Sequence, residues 1–168
     1  MKATDKSSKL IIAAAVALCG IIIAGGIFML FNRFSDGNKP AAIGEITEFE
    51  SLTVRFSGMR ITEEYEIISN GETSEISQYY IKYDQQEDIR ELQASAVCQT
   101  QEVIDILNEC KAGKWNGFHG EHPKGVLDGT MFNLTASVNG GQKLSADGSQ
   151  NFPKNFRTFE DWLYEKTR

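Results

Sequence analysis

The sequence predicts an α+β domain, an antiparallel sheet of about five or six strands with two helices, preceded by one transmembrane helix. Three observations carry that expectation. Residues Leu10–Phe31 run for 22 positions without a charge. Apolar and polar residues alternate with period two in segments between 52 and 98, and again between 130 and 146. Two further segments, near Thr100 and Thr158, change to helical period.

The uncharged run, LIIAAAVALCGIIIAGGIFMLF, has no polar face, which a buried core helix would show. At about 1.5 Å per residue it spans roughly 33 Å as a helix, close to the hydrocarbon thickness of a bilayer. A cleaved signal needs an apolar stretch of only about 7–15 residues, and Phe28, Met29, Leu30 and Phe31 prolong this one; cutting near Ala24-Gly25-Gly26 is the alternative. A lipoprotein signal wants a small residue before its cysteine, whereas Leu18 precedes Cys19. Lys2, Lys6 and Lys9 precede the run, which puts residues 1–9 in the cytoplasm and makes the chain a single-pass protein of the cell membrane. Gly20 and Ala24 form a weak small-residue packing pair. Residues 32–44 read as a linker rich in turn formers, among them Asp36-Gly37, Asn38 and Pro40. Residues 45–168 then form one domain outside the cell, long enough to bury its own core.

Within that domain Leu52, Val54 and Phe56 mark a strand that Gly58 ends. Asn70-Gly71 is a hairpin signal between Tyr65–Ser69 and Ile76–Asp84. On the second arm Tyr79, Ile81 and Tyr83 share one face, and Gln78, Tyr80 and Lys82 the other. After the polar turn 84–88, Leu92, Ala94, Ala96 and Cys98 predict one buried face of another strand. Thr100 is the expected cap of a helix buried through Val103, Leu107 and Cys110 and closed by Gly113. Thr130–Val138 and Lys143–Ala146 form a second hairpin around Asn139-Gly140-Gly141, and Asp147-Gly148 reads as loop. A last helix, with Thr158 and Asp161 as a capping box, docks through Phe159, Trp162 and Leu163.

From residue 40 onward there are 21 acidic and 12 basic residues; residues 40–91 hold 12 acids against 4 bases. Such a surface repels phosphate backbones, so no nucleic-acid partner is expected, and it argues against lying flat on an anionic membrane.

The residues with most chemical potential lie in KWNGFHGEHPKG, residues 114–125. His119, Glu121 and His122, with Asp128 nearby, are three or four possible metal ligands. Zinc sites hold their ligands on rigid elements, and the spacing is not the i, i+4 pair of a helical zinc motif. Gly117, Gly120, Pro123 and Gly125 instead suggest a polar loop. Cys98 and Cys110 are either a disulfide or two buried thiols. No GxSxG, P-loop or GxGxxG motif occurs. These patterns assign no catalytic residue, cofactor or metal ligand. Trp115, Phe118, Phe152, Phe156, Phe159 and Trp162 either line a binding groove or staple the C-terminal segment to the sheet; general burial behaviour favours the staple.

The arrangement Trp115-x-Gly117-Phe118, Asp128-Gly129-x-x-Phe132-x-Leu134, Ala146-x-Gly148-Ser149 and Phe152-Pro153-x-Asn155-Phe156, then Phe159, covers about the last 50 residues. It resembles a pattern in uncharacterised membrane-anchored and lipoprotein-like envelope proteins of Gram-positive bacteria, which have no assigned activity. The resemblance implies an exported domain and supplies no catalytic residues. The expected function is a non-enzymatic binding or interaction module, tethered to the membrane and engaging an envelope protein partner. The alternatives are an envelope hydrolase using the His119/Glu121/His122 loop, with or without a metal, and a subunit of a larger complex reached through the membrane helix.

Overall fold

A computed structural model describes residues 40–59, 61–84 and 87–168. The expected cytoplasmic segment 1–9, membrane helix 10–31 and most of the linker lie outside the described residues. Among those described, no helix is long and apolar enough to cross a membrane.

The chain runs β1 (Phe49–Ser57), β2 (Thr62–Ser69), β3 (Thr73–Asp84), β4 (Glu87–Gln99), α1 (Thr100–Glu109), a 3₁₀ turn (Ala112–Trp115), β5 (Phe118–Gly120), β6 (Met131–Val138), β7 (Gln142–Ser149) and α2 (Phe156–Thr167). The α+β class holds, with two helices among the described residues. The expected five or six antiparallel strands are corrected to a seven-stranded mixed sheet, ordered β4-β3-β2-β1-β6-β7-β5. The added strand, β5, pairs in parallel with β7, while the other pairings are antiparallel.

Alternation decides which face is buried. Leu52, Val54 and Phe56 of β1, Tyr65 and Ile67 of β2, Phe132 and Leu134 of β6 and Leu144 and Ala146 of β7 join one apolar core. Val103 and Leu107 of α1 and Phe159 and Leu163 of α2 belong to the same core. The intervening residues, among them Thr53, Arg55, Asn133, Thr135 and Asp147, line the opposite face, left uncovered by the described helices.

β4 departs from simple alternation. The β3–β4 register shifts between Gln78↔Ala94 and Tyr79↔Leu92, which leaves Gln93 as an extra residue. A bulge of this kind reverses the facing of everything beyond it. Cys98 stays in the core, but Leu92 is turned outward and is 58% exposed, against the expectation that it shares the buried face.

Both helix starts differ from expectation. α1 is capped at Gln99, whose N–H donates to Glu102 Oε1 at 3.1 Å; Thr100 is inside the helix, its hydroxyl 3.0 Å from that of Ser74. α2 begins two residues before Thr158, after Asn155 in the left-handed region at φ 64°. Gly113 lies in the 3₁₀ turn beyond the helix end at Cys110. It must be glycine for another reason: a Cβ there would overlap the backbone carbonyls of Ile43 and Gly44.

Those carbonyls belong to a strap, residues 40–48, fixed by three asparagines. Asn116 Nδ2 donates to Ala41 O at 2.9 Å. Asn108 accepts from Ile46 N at 2.9 Å and donates to Ile46 O at 2.7 Å, imitating a strand partner. Asn139 accepts from the N–H groups of Thr47 and Glu48 and donates to Glu45 O. Residues 40–44, read from sequence as the end of a linker, are thus bonded to the domain.

The aromatic residues are core staples. Trp115, Phe132, Phe156 and Phe159 are nearly inaccessible, and Phe118, Phe152 and Trp162 pack against them half-buried. Phe156 touches Phe56, Trp115, Phe132, Phe152 and Phe159, with centroid separations from 4.6 to 6.2 Å. Phe156→Ala is expected to cost about 3–5 kcal/mol in urea unfolding, the range for truncating a buried aromatic. A loss below about 1 kcal/mol would show that the cluster is not the point of attachment of α2.

Candidate functional site

The histidine stretch is partly strand. β5 carries His119 alongside Asp147 of β7, in parallel register. Asp147 and Gly148, expected in a loop, are strand residues. Gly148 fits because a Cβ there would overlap Asn151 O and the Phe132 ring; Gly120, its partner, has the same limit at Asn151 O.

His119 Nδ1 lies 2.6 Å from Asp147 Oδ2, so this nitrogen carries the proton and donates it to the carboxylate. Nε2 is left facing outward on a side chain that is 71% exposed. His122 is held at both nitrogens. Nε2 lies 2.8 Å from Val126 O, an atom that only accepts, so Nε2 is protonated. Nδ1 lies 2.8 Å from Ser149 Oγ, and in the tautomer protonated at Nε2 alone it accepts from that hydroxyl.

The possible ligands His119, Glu121, His122 and Asp128 do not converge. Glu121 is exposed, and its backbone carbonyl accepts from Asn151 Nδ2 at 3.5 Å. Asp128 is exposed in the following loop. Among the described residues no three His, Cys, Asp or Glu side chains group as a metal site. What the fold gathers instead is His119 with Asp147 and His122 with Ser149. The β7 partners could not be chosen from sequence, because only the register of β5 and β7 brings them opposite.

A groove of about 360 Å³ runs along this part of the uncovered face. His119, His122, Asp147 and Ser149 line it, with Asn133 and Arg55. One cross-sheet row continues outward: His119, Asp147, Asn133, Arg55, Glu64 and Tyr79 lie in register on β5, β7, β6, β1, β2 and β3. Glu64, its side chain 9% exposed, is clamped by Arg55 Nε at 2.9 Å and Arg90 Nη2 at 2.8 Å. Arg55 reaches Asp88 at 3.2 Å, and Arg90 reaches Glu66 at 3.3 Å while stacking 4.0 Å from the Tyr79 ring centroid. Burial opposes the Arg55 charge, but the paired carboxylates of Glu64 and Asp88 outweigh it and hold the guanidinium protonated. The row is a rigid, mixed-charge surface.

Cys98 and Cys110, the two cysteines among the described residues, are free and buried. Burial pushes the Cys110 thiol up to about 11 and raises Cys98 as well. Neither is set up as a nucleophile, which requires the thiolate.

A second cleft, about 430 Å³, opens between α2 and the β1–β2 turn, with Glu63, Glu160, Tyr164 and the exposed Met59 and Ile61 on its walls. Burial raises both carboxyls; the charge of Glu160 adds to the effect on Glu63, and Asp161 adds to that on Glu160.

Compared with protein-family models, curated proteins and solved structures, the chain matches none.

The raised carboxyls give a pH prediction. A carboxyl raised above its ordinary 4.5 contributes stability that is fully present below 4.5 and lost as pH rises through the folded value. Glu63→Gln and Glu160→Gln are therefore expected to raise the thermal midpoint at pH 8 and to leave it near wild type at pH 4. Equal shifts at both pH values would contradict the assignment.

Proposed function

We propose that this chain is a single-pass membrane protein whose domain lies outside the cell and acts as a non-enzymatic binding module for an envelope protein partner. The supporting observation is the asymmetry of the sheet. One face is filled by α1 and α2, and the other is uncovered and carries the ordered row from His119 to Tyr79. A surface with ion pairs already formed spends little entropy on ordering side chains when a partner binds. The uncharged run 10–31 supplies the tether, and the lysines before it the orientation.

The test is capture by cross-linking on intact cells. Asn133→Arg and Thr135→Arg alter two exposed residues of the uncovered face. The wild-type chain is expected to yield a discrete cross-linked partner. The double variant should lose it while keeping its thermal midpoint. Unchanged capture would place binding elsewhere.

One observation favours the hydrolase alternative: the relay Ser149 Oγ–H to His122 Nδ1, with Nε2–H held by Val126 O. It resembles a nucleophile, base and orienting acceptor in sequence of roles, without metal. A fluorophosphonate probe separates the readings. The binding-module reading predicts no more labelling than in Ser149→Ala, whereas stoichiometric labelling lost in both Ser149→Ala and His122→Ala would make the chain a serine hydrolase.

A further inference from the structure

The acidic character of the domain is unevenly placed. β2, β3 and β4, with Glu63, Glu64, Glu66, Glu75, Asp88 and Glu91, occupy one half of the sheet, and β4 is its edge. At the opposite edge, beside β5, three lysines surround an apolar cleft of about 250 Å³. Lys111 follows α1 in the left-handed region at φ 59°, Lys114 stands on the 3₁₀ turn, and Lys154 lies just before α2. All three are exposed, and their ammonium groups take no ion pair among the described residues. Trp115, Phe118 and Pro153 line the same cleft. Trp115 Nε1 donates to Lys154 O at 3.0 Å and so ties the third lysine to the first two. Glu45 is the acid lining the adjoining cleft, where Lys111 and Lys114 also stand.

The chain enters the domain on this same side. Pro40 sits against Gly117, where a Cβ would overlap its ring, and Ile43 N donates to Gly113 O at 2.9 Å. Only eight residues, 32–39, separate Pro40 from the uncharged run ending at Phe31. Even fully extended they reach about 29 Å. So short a lead keeps Lys111, Lys114 and Lys154 within reach of whatever surface anchors residues 10–31.

We propose that Lys111, Lys114 and Lys154 form a docking face for an anionic phospholipid surface. The ammonium groups meet headgroup phosphates, and the acid-rich half of the sheet points away from them. Opposite charge is what such a surface selects, and its reach of about 8 Å at physiological salt requires the close approach that the short lead gives. The inference rests on the membrane-tethered reading. It replaces the expectation from overall charge that the domain avoids anionic membranes, because it is the local sign at the approaching face that acts across a Debye length.

The test reconstitutes the full chain into nanodiscs of phosphatidylcholine alone or mixed with phosphatidylglycerol, and reads acetylation of each lysine by mass spectrometry. Lys82, paired with Glu91 on β3 at 2.7 Å, is the reference. Lys111, Lys114 and Lys154 are expected to react several-fold more slowly in anionic discs, to recover in high salt, and to do so without a change at Lys82. Equal reactivity in the two lipids overturns the proposal. So does equal protection in neutral discs by inorganic phosphate, which would make the cleft a free-anion site. If the chain is recovered outside the disc fraction, the tether reading has failed, and cosedimentation of that chain with anionic vesicles decides the surface alone. Each of Lys111→Glu, Lys114→Glu and Lys154→Glu should then weaken binding about fivefold; undiminished or absent binding overturns it.

Discussion

The whole arrangement depends on Phe156. It sits at the first turn of α2 and reaches rings from β1, the 3₁₀ turn, β6 and the loop before the helix. Edge-on and tilted ring contacts of this kind add to the apolar area each ring buries. One residue thereby ties the C-terminal helix, the sheet centre and the turn that carries Lys114 into a single core. Asn155 makes this possible by taking the left-handed conformation, which turns the chain so that Phe156 enters the core at once. Ordinary side chains adopt that conformation at a cost, and asparagine among the least.

From that core the two faces of the sheet take different roles. The helix-covered face supplies stability. The uncovered face cannot do so by burial, and it is instead ordered by charge, with Glu64 between two arginines. Breaking such a pair leaves a nearly buried carboxylate without compensation, so the row is stiff even though it faces solvent. The same division explains the strap. Residues 40–48 have few apolar anchors, chiefly Ile43 and Ile46, and hold position through amide groups of Asn108, Asn116 and Asn139. Fixing the strap fixes where the chain enters the domain.

Much of this was legible in the sequence because it depends on local pattern. Leu52, Val54 and Phe56 declared their face by period two, Asn70-Gly71 declared its hairpin, and Phe159 with Leu163 declared the docking side of α2. The failures share a cause, which is that the deciding contact is distant in sequence. Leu92 turned outward because of a bulge set by pairing with β3. β5 exists only because β7 receives it, and three residues that follow Gly117 and end in Gly120 carry no period of their own. Asp147-Gly148 looked like a loop, yet the glycine is there for the backbone of Asn151. The histidines were noticed, but their partners Asp147 and Ser149 are 28 and 27 residues away and became visible only through strand register.

The claim on which the functional account stands is that the folded domain lies outside the cell. Labelling intact cells with a membrane-impermeant amine reagent addresses it directly. The account predicts modification of Lys82, Lys124 and Lys143 without lysis, and of Lys2, Lys6 and Lys9 only after it. Labelling of the domain confined to lysed cells would contradict the account.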